Sequence, residues 1–417
     1  MTFQNTLAFA QSLDKNDPLS KFRSEFLFPM HNGEKAIYFC GNSLGLQPKS
    51  VRAAINAELD YWEMYGVEGW FSGDKAWLSY HQELSELAAP IVGAKPSEVI
   101  VMNTLTVNLH LLMVSFYRPT AQRFKIIMEA GAFPSDQYAL ETQVRFHGFD
   151  PSVVLVEIAP RDGEHCLRTE DIVQTIENEG DTVALVLFGG VNYYTGQFYD
   201  LEKIAETAHK IGATVGFDLA HAAGNVPLQL HDWQADFAVW CGYKYLNSGP
   251  GGIGGAFIHE KHHNNKDLPR FAGWWGHDEQ QRFKMEKGFI PMSGAAGWQL
   301  STVQVIPSAI HRASLRLIEQ AGGIGVLRQK SVQLTAFLAF ILKESAQNFD
   351  IITPSVSDAR GAQLSILTDE NGKKLFDKLA TNGVICDWRE PNVIRLAPVA
   401  LYNSFEEVWR VGQLLKD

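Results

Sequence analysis

The sequence predicts an α/β protein, with a large domain built on a mainly parallel β-sheet covered by helices and a smaller α+β domain at its C-terminal end. The first observation is that apolar runs of strand length alternate with segments of helix length from about residue 97 to residue 222. Strands buried on both faces read as continuous apolar runs, and intervening helices allow parallel pairing. The second is the length of 417 residues, which exceeds one small core and favours two unequal domains.

The elements of the large sheet are predicted in alternation along the chain. Ser135 or Asp136 is expected near the N-cap of its second helix, and Thr169 with an acidic first turn suits the start of its third. The apolar segments 235–246 and 252–260 have no helix between them, so we expect an antiparallel strand at the edge of the sheet. The remaining predicted strands are 97–103, 125–131, 152–158, 182–190 and 214–222, and the helices are 105–116, 135–148, 169–180 and 200–213.

The rest of the chain is divided around this sheet. Residues 1–50 are predicted to form an N-terminal arm, because a helical stretch is followed by loop signals at Pro29, Gly33 and residues 41–48. We expect this arm to pack with the small domain. Residues 51–300 are assigned to the large domain and residues 301–417 to the small C-terminal domain, which opens with helices at 303–321 and 322–346.

Composition excludes several classes of protein. The formal net charge of −11 argues against nucleic-acid and anionic-membrane partners. The four cysteines are far apart and show no CxxC spacing, which suits a reducing cytoplasm rather than a disulfide framework or a zinc site, so no metal is expected. The N-terminus lacks the pattern of a signal peptide, and no apolar run approaches the roughly 20 residues that span a bilayer.

Asp218 follows a predicted buried strand in the motif GFDLAHAAGN, residues 216–225. A buried carboxylate needs a positive partner, and a protonated pyridine nitrogen is one, since a carboxylate keeps that proton in place and makes the ring an electron sink. His221, three residues later, could stack on the same ring or hydrogen-bond beside it. Taken alone, Asp218 would more simply cap a loop.

Lys244 follows the next apolar strand, in the motif WCGYKYLNSGPGGIGG at residues 240–255. A desolvated lysine has a depressed pKa, as a Schiff-base nucleophile requires, and the glycines after it allow a ligand to approach the backbone. A single lysine in such a setting more often extends to the surface. Its spacing from Asp218, on the preceding strand, favours the functional interpretation.

The phosphate end of such a cofactor would need amides at a helix N-terminus together with hydroxyl donors. Leu105 and Thr106 open a predicted helix after a strand, and Tyr243 could add a second hydroxyl. Phe133 and Asp136 also lie at a strand-to-helix junction. Phe133 could stack on an aromatic ring or belong to the core, and Asp136 could cap the helix or point into the site.

The motifs together resemble the kynureninase family, within the fold-type I pyridoxal-phosphate (PLP)-dependent transferase fold and the class-V aminotransferase group. The resemblance runs from near residue 37 to the C-terminus. It rests on GNSLGLQP (41–48), MNTLTVNLHLL (102–112), AFPSDQY (132–138), GFDLAHAAGN (216–225), WCGYKYLNSGPGGIGGAFIHE (240–260), GWWGH (273–277) and IRLAPVALYNS (394–404).

The resemblance implies a role for each matching residue. Lys244 would carry pyridoxal 5'-phosphate as a Schiff base, Asp218 would pair with the pyridine nitrogen, and Phe133 would stack on the ring near His221. The cofactor site would also include Leu105, Thr106, Asp136 and Tyr243, with Trp274 and Thr302 reaching it from a second subunit of a homodimer. Asn42, Ser43 and Arg395 would contact the substrate, with Arg395 binding its carboxylate.

The implied reaction is hydrolysis of L-kynurenine, or of 3-hydroxykynurenine, to anthranilate or 3-hydroxyanthranilate and L-alanine, in tryptophan catabolism or NAD biosynthesis. Lys244 and Tyr243 are the candidates for proton transfer, and phosphate binding is the competing role of Tyr243. Two positions depart from the family pattern. Gly189 replaces a small hydroxyl residue of some members, and Val67 lies where some animal members have a histidine that contacts the substrate ring.

Three other functions are considered for a chain with these residues. A cysteine desulfurase on the same fold would need a mobile nucleophilic thiol, and none of the four cysteines lies in an evident Gly/Ser-rich loop. A class-V aminotransferase would be distinguished by assays with pairs of amino donors and keto acids. A cofactor-binding regulator would need a basic DNA-reading domain, for which this acidic chain has no room.

Overall fold

The structure is a computed structural model that describes residues 2–73, 76–345 and 349–416. The predicted end of one helix, residue 346, lies outside these ranges. The α-helices are α1 (Leu7–Lys15), α2 (Ser50–Tyr65), α3 (Tyr80–Val92), α4 (Leu105–Phe116), α5 (Pro134–Phe146), α6 (Pro151–Val154), α7 (Thr169–Glu179), α8 (Leu201–Lys210), α9 (Val305–Gln320), α10 (Gly323–Lys343), α11 (Gly372–Thr381) and α12 (Phe405–Leu414).

The strands form one large sheet, one smaller sheet and three short ladders. They are β1 (Phe26–Leu27), β2 (Met30–His31), β3 (Glu34–Lys35), β4 (Ile37–Tyr38), β5 (Gln47–Pro48), β6 (Val99–Val101), β7 (Lys125–Glu129), β8 (Leu155–Ile158), β9 (Val183–Gly189), β10 (Thr214–Asp218), β11 (Phe237–Trp240), β12 (Gly255–Ile258), β13 (Asp350–Ile351), β14 (Leu364–Leu367), β15 (Val384–Ile385), β16 (Asp387–Arg389) and β17 (Val393–Leu396).

The large sheet has seven strands in the order β6-β12-β11-β10-β9-β7-β8. The pairs that join β8, β7, β9, β10 and β11 are all parallel, and β12 is antiparallel to both of its neighbours. The mainly parallel sheet is therefore confirmed. The expected antiparallel edge is wrong in one respect, because β6 pairs with β12 and leaves the antiparallel strand one position inside the edge.

Successive residues of the central strands point to opposite sides of this sheet. Ile126 packs into a core cluster with Leu185 on one side, whereas Ile127 packs with Val186 and Val215 on the other, and all five side chains are fully buried. This double burial is the physical reason that the strands read as continuous apolar runs. The sheet is covered by helices on both faces, as expected.

Several predicted elements are shorter in the structure than in the sequence interpretation. The segment predicted as strand 152–158 begins with the short helix α6, because Pro151 starts a turn that the side chain of Asp150 caps at Ser152 N. Helix α5 begins at Pro134 with Phe133 as its N-cap, so Ser135 and Asp136 lie inside its first turn. That placement matters because it directs both side chains towards the end of the sheet.

The N-terminal residues contact the C-terminal part of the chain. Phe3 packs against Phe337 with ring centroids 5.4 Å apart, and Asp14 accepts hydrogen bonds from the first backbone amides of α12. Strand β4 pairs in parallel with β15. The domain boundaries at residues 50 and 300 stay predictions. Among the described residues, no helix is both long enough and apolar enough to cross a membrane.

Candidate active site

The site lies at the carboxyl ends of three adjacent parallel strands. Glu129 ends β7, Gly189 ends β9 and Asp218 ends β10, and the register pairs Asp218 with Gly189 directly. Lys244 lies in the loop that follows β11. Open α/β sheets bind ligands at this edge, because the chain turns away from the strands there and leaves a crevice.

A cavity of about 160 Å³ opens at this edge. Eight of the predicted site residues line it, and these are Leu105, Thr106, Phe133, Asp136, Asp218, His221, Tyr243 and Lys244. The residues that the sequence interpretation did not assign to the site are Glu129, Ser135, Gly189, Val191, Tyr193 and Ala220. The three separate motifs therefore meet in one place.

Lys244 is 9 % exposed, and its ammonium group faces the aromatic walls of the cavity. Its Nζ atom lies 5.7 Å from the ring centroid of Phe133 and 6.0 Å from that of Tyr243. Among the described residues, no carboxylate oxygen lies within ion-pair distance of this Nζ. The amine is thus free to react with an aldehyde that enters the cavity.

Asp218 and Asp136 are a buried pair of carboxyl groups. Burial raises the pKa of Asp218, while the Ala220 N–H at 2.7 Å, the Lys244 charge and a hydrogen bond from Asp136 oppose that rise. Burial, then the charge of Asp218, raises the pKa of Asp136 well above its usual value. Asp136 therefore favours its protonated form and can donate to Asp218, which leaves the negative charge on Asp218.

His221 lines the same cavity and is 7 % exposed. Burial, then the positive charges of Lys244 and Arg395, lowers its pKa well below the ordinary value. His221 is consequently a neutral ring in the cavity wall, suited to stacking or to a single hydrogen bond.

Two helix N-termini also line the cavity. The hydroxyls of Thr106 in α4 and Ser135 in α5 lie 2.8 Å apart, and no side chain caps either helix. Uncapped first-turn amides and paired hydroxyls form a site for an anion such as a phosphate group. A cofactor with a phosphate, an aldehyde and a protonated ring nitrogen fits these donors, Lys244 and Asp218.

Tyr243 lies next to Lys244 and lines the same cavity. Burial, followed by the neighbouring thiol of Cys241, raises the pKa of its hydroxyl. The group is therefore a neutral phenol at physiological pH, able to donate a hydrogen bond or accept one.

Arg395 does not line the cavity, although it lies close behind its wall. The side chain is 1 % exposed, pairs with Asp387 and donates through Nη1 to the Tyr193 carbonyl at 2.6 Å. Its Nε atom has no hydrogen-bond partner among the described residues. The structure thus shows the structural ion pair, and a contact between Arg395 and a substrate carboxylate stays a prediction.

Asn42 and Ser43 also lie outside the cavity lining. Asn42 is fully buried and donates to Gln363 Oε1 at 2.8 Å, while its Oδ1 is unpartnered within the described ranges. Their loop touches the lysine loop, because Gly45 N donates to the Tyr243 carbonyl at 2.8 Å. A β-carbon on Gly45 would lie 2.4 Å from the Lys244 carbonyl oxygen, so only glycine permits this approach.

Trp274 and Thr302 are separated from the cavity within one chain. Trp274 is 45 % exposed and donates from Nε1 to the carbonyl of Arg282 at 3.0 Å. Thr302 is exposed to solvent. Neither residue contributes to the cavity of its own chain, and a contribution to a second subunit stays a prediction.

Glu98, His231 and His259 are the one group of metal-ligand type found among the described residues, with ligand atoms within 4.8 Å of one another. Their atoms are already hydrogen-bonded. His231 Nδ1 contacts Glu98 Oε1 at 2.9 Å, and His259 Nδ1 accepts from Lys261 N at 3.1 Å. Since these bonds account for the burial of Glu98, the group is a structural network.

Comparisons with known proteins identify the family. The kynureninase C-terminal domain model matches residues 327–415. The chain is 56 % identical to the kynureninase of Flavobacterium psychrophilum, over 100 % of this chain and 99 % of that one. It is 54 % identical to the kynureninase of Myxococcus xanthus, over 99 % and 97 %. The chain belongs to the kynureninase family.

Solved structures give the fold. The apo cysteine desulfurase of Thermococcus onnurineus NA1 is 20 % identical and superposes with a TM-score of 0.78, covering 96 % of this chain and 97 % of that one. A lysine mutant of C-DES with glycine covalently linked to its PLP cofactor is 18 % identical with a TM-score of 0.76, covering 91 % and 96 %. The predicted fold-type I, PLP-dependent transferase fold is confirmed.

Proposed function

We propose that this member of the kynureninase family hydrolyses L-kynurenine to anthranilate and L-alanine, with pyridoxal 5'-phosphate on Lys244 as its cofactor. The observation that carries the proposal is the single cavity in which Lys244, Asp218 and the two uncapped helix N-termini face one another. Membership of the kynureninase family supports the choice of substrate, and the residues of the cavity support the chemistry that this substrate requires.

Each part of the cofactor has a matching group in the cavity. The hydroxyls of Thr106 and Ser135 and the first-turn amides of α4 and α5 would hold the phosphate. Asp218 would hold the proton on the ring nitrogen, and Phe133 would cover one face of the ring. When bound, the cofactor supplies an electron sink for the electrons released at the substrate Cα atom.

Lys244 has two tasks in this mechanism. Its amine would hold the cofactor and, when free, would remove the proton from the substrate Cα atom as a general base. Water then adds to the γ-carbonyl carbon, and the Cβ–Cγ bond breaks to release anthranilate. Tyr243, a neutral phenol beside Lys244, is placed to move a proton near that carbonyl, and the remaining three-carbon fragment takes up a proton and leaves as alanine.

The thiols disfavour a cysteine desulfurase, which needs a reactive thiolate. Burial raises the pKa of Cys40 to about 11 and that of Cys386 to about 12, and it also raises the pKa values of Cys166 and Cys241. A thiol with a raised pKa is a weak nucleophile at neutral pH. An aminotransferase is separated by assay, since it would yield a keto acid instead of anthranilate.

The proposal includes a homodimer in which Trp274 and Thr302 complete the site of the partner chain. Large apolar side chains remain exposed around Trp274 in the single chain, which is unusual unless another surface covers them. Those at least 44 % exposed include Phe71, Phe271, Trp274, Phe283, Met285 and Ile290. We also place the protein in the cytoplasm, because all four of its cysteines are free.

Borohydride reduction tests the proposal directly. The purified protein should be yellow, and reduction should fix a phosphopyridoxyl group on the peptide that contains Lys244. Lys244→Ala should abolish turnover of kynurenine, whereas Lys266→Ala, at an exposed lysine, should leave it unchanged. Labelling of another lysine would contradict the proposal. Rates with 3-hydroxykynurenine, cysteine and amino-donor pairs, measured beside kynurenine, identify the substrate.

A further inference from the structure

A third buried carboxyl group lines the cavity, and the mechanism above does not use it. Glu129 is 5 % exposed and ends β7, two strands away from Asp218. Its carboxylate accepts a bifurcated hydrogen bond from Gly189 N, at 3.1 Å to Oε1 and 3.2 Å to Oε2. Burial of a carboxylate without a neighbouring cation costs free energy, so the presence of Glu129 at this position suggests a function.

Gly189 makes room for this carboxyl group. A β-carbon built on Gly189 would lie 2.8 Å from Glu129 Oε1, which is closer than real β-carbons approach other atoms. Any side chain at residue 189 would therefore displace the carboxyl group from its donor. The carboxyl group of Glu129, at the end of β7, therefore occupies the space that a side chain on Gly189, at the end of β9, would fill.

We propose that Glu129 is a positioning residue whose carboxyl group acts through Asp218 to set how firmly the cavity holds positive charge on the cofactor bound at Lys244. This inference rests on the proposed PLP chemistry. The geometry supports it, since Glu129, Gly189 and Asp218 end neighbouring strands and Glu129 lines the same cavity as Lys244. A negative charge there stabilises cationic nitrogens and opposes a second negative charge on Asp218.

The groups that face Glu129 come from each element packed around it. They are Asp218 at the end of β10, Asp136 in α5, and Tyr199 in the segment before α8. Burial, opposed by the Gly189 amide and reinforced by the charge of Asp218, raises the pKa of Glu129 to about 7. Its charge therefore changes across the physiological pH range, while Asp136 favours its neutral form.

The variant Glu129→Gln tests this inference, because it keeps an acceptor for Gly189 N and removes the titrating charge. Glu157→Gln, at an exposed position on the neighbouring strand β8, is the matched control. In the holoenzyme, the pH midpoint of the absorption change of the Lys244-bound cofactor should move to lower pH by roughly 0.5–1.5 units in Glu129→Gln, as expected for loss of one nearby carboxylate. Glu157→Gln should leave the midpoint unchanged.

A second measurement needs no cofactor. An acid whose folded-state pKa lies above its unfolded value destabilises the fold as pH rises between the two values. The full chain freed of cofactor should therefore melt higher in Glu129→Gln than in the wild type at pH 8, with a smaller difference at pH 5. Gly189→Ala, which displaces the carboxyl group, should move the spectral midpoint in the same direction as Glu129→Gln.

The two measurements separate this inference from the proposed function. An unchanged midpoint together with a pH-independent melting difference in Glu129→Gln would overturn the role of Glu129, even in a protein labelled at Lys244. Absence of the borohydride label would overturn the proposed function, and the melting measurement would still decide whether Glu129 titrates in the fold.

Discussion

The guanidinium group of Arg395 pairs with the carboxylate of Asp387, directly across the ladder between β17 and β16. The same guanidinium donates to the carbonyl of Tyr193, and the ring of Tyr193 packs edge-on against Phe133 at 5.4 Å. The C-terminal sheet is therefore connected to the cavity wall through Tyr193. This connection gives Arg395 a structural role, and its contact with a substrate carboxylate stays a prediction.

Arg395→Ala should lower both stability and activity. Removing the cation leaves the Asp387 carboxylate with Arg389 alone and the Tyr193 carbonyl with the Gln363 amide alone. The loss of charge-assisted hydrogen bonds should lower the free energy of unfolding by about 1–3 kcal/mol. If Arg395 also binds the substrate, kcat/KM should fall roughly 30- to 1000-fold.

Arg395→Lys separates these two effects. Lysine keeps a cation beside Asp387, so Arg395→Lys should recover most of the decrease in melting temperature seen in Arg395→Ala. An ammonium group cannot reproduce the planar arrangement of donors that binds a carboxylate, so the activity should stay low. Low kcat/KM with restored stability would support substrate binding. Normal kinetics per folded molecule in this variant would remove Arg395 from the site.

Asp218→Asn should fold normally and lose more than about 100-fold in kcat, in the range typical for removing one positioned polar group from an active site. An amide cannot hold the proton on the ring nitrogen, and the electron sink would weaken. Asp136→Asn is the matched control, because Asp136 favours its protonated form and an amide can still donate to Asp218. Steady-state kinetics and the absorption spectrum of both variants check the assignment. Equal losses in the two variants would contradict the distinct role of Asp218.

The proposed homodimer predicts complementation between inactive variants. Lys244→Ala removes the cofactor lysine from one chain, and Trp274→Ala removes the residue expected to reach the neighbouring site. A mixed dimer would contain one site with both residues intact, so mixing should restore activity towards one half of the wild-type rate per mixed dimer. Analytical ultracentrifugation and a tag-based pull-down confirm that mixed dimers form. Mixed dimers without activity would place all contacts within one chain.

Much of the fold could be predicted because its strands are buried on both faces. Helix α4 has the predicted bounds, since an apolar segment begins directly after a polar turn. The position of β12 in the sheet could not be predicted. The pattern of apolar residues indicates whether a strand is buried, but not which strand pairs with it. The helical turn of α6 was missed because Val153 and Val154 read as strand residues, while Asp150 and Pro151 favour a helix start locally.

The site was predictable where chemistry singles out a residue type. Lys244 and Asp218 are the charged residues that interrupt apolar segments, and that signal located the cavity. Glu129 gives the same signal, since it ends an apolar strand as Asp218 does, but no motif pointed to its partner. Tyr193 was not recognisable, because its contribution comes from a backbone carbonyl. Gly189 was noted only as a departure from the family pattern, and the sequence did not indicate that the Glu129 carboxyl group lies where its side chain would be.

Asp236, which lies outside the cavity, should make the free energy of unfolding depend on pH. Its carboxylate is 5 % exposed and receives His209 Nε2 at 3.0 Å, His262 Nε2 at 2.8 Å and Lys261 Nζ at 2.8 Å. Hydrogen bonds from these two histidines, then the Lys261 ammonium, hold its pKa well below the usual range although burial alone would raise it. An acid with a depressed folded-state pKa contributes stability above its unfolded pKa, and that stability is lost as the pH falls below it.

Asp236→Asn should therefore lower the free energy of unfolding by about 1–3 kcal/mol at pH 7.5, because the buried carboxylate that accepts from Lys261 and the two histidines is lost. The difference from the wild type should be smaller by about 0.7 kcal/mol at pH 3.5 than at pH 5.5, because the unfolded carboxyl, with a pKa of about 3.9, takes up a proton. Asp232→Asn, at an exposed residue nearby, should stay within about 0.5 kcal/mol of the wild type throughout. Urea unfolding at the three pH values decides the matter. A difference that grows between pH 5.5 and pH 3.5 would mean that the fold prefers the protonated carboxyl, with the sign opposite to the one expected here.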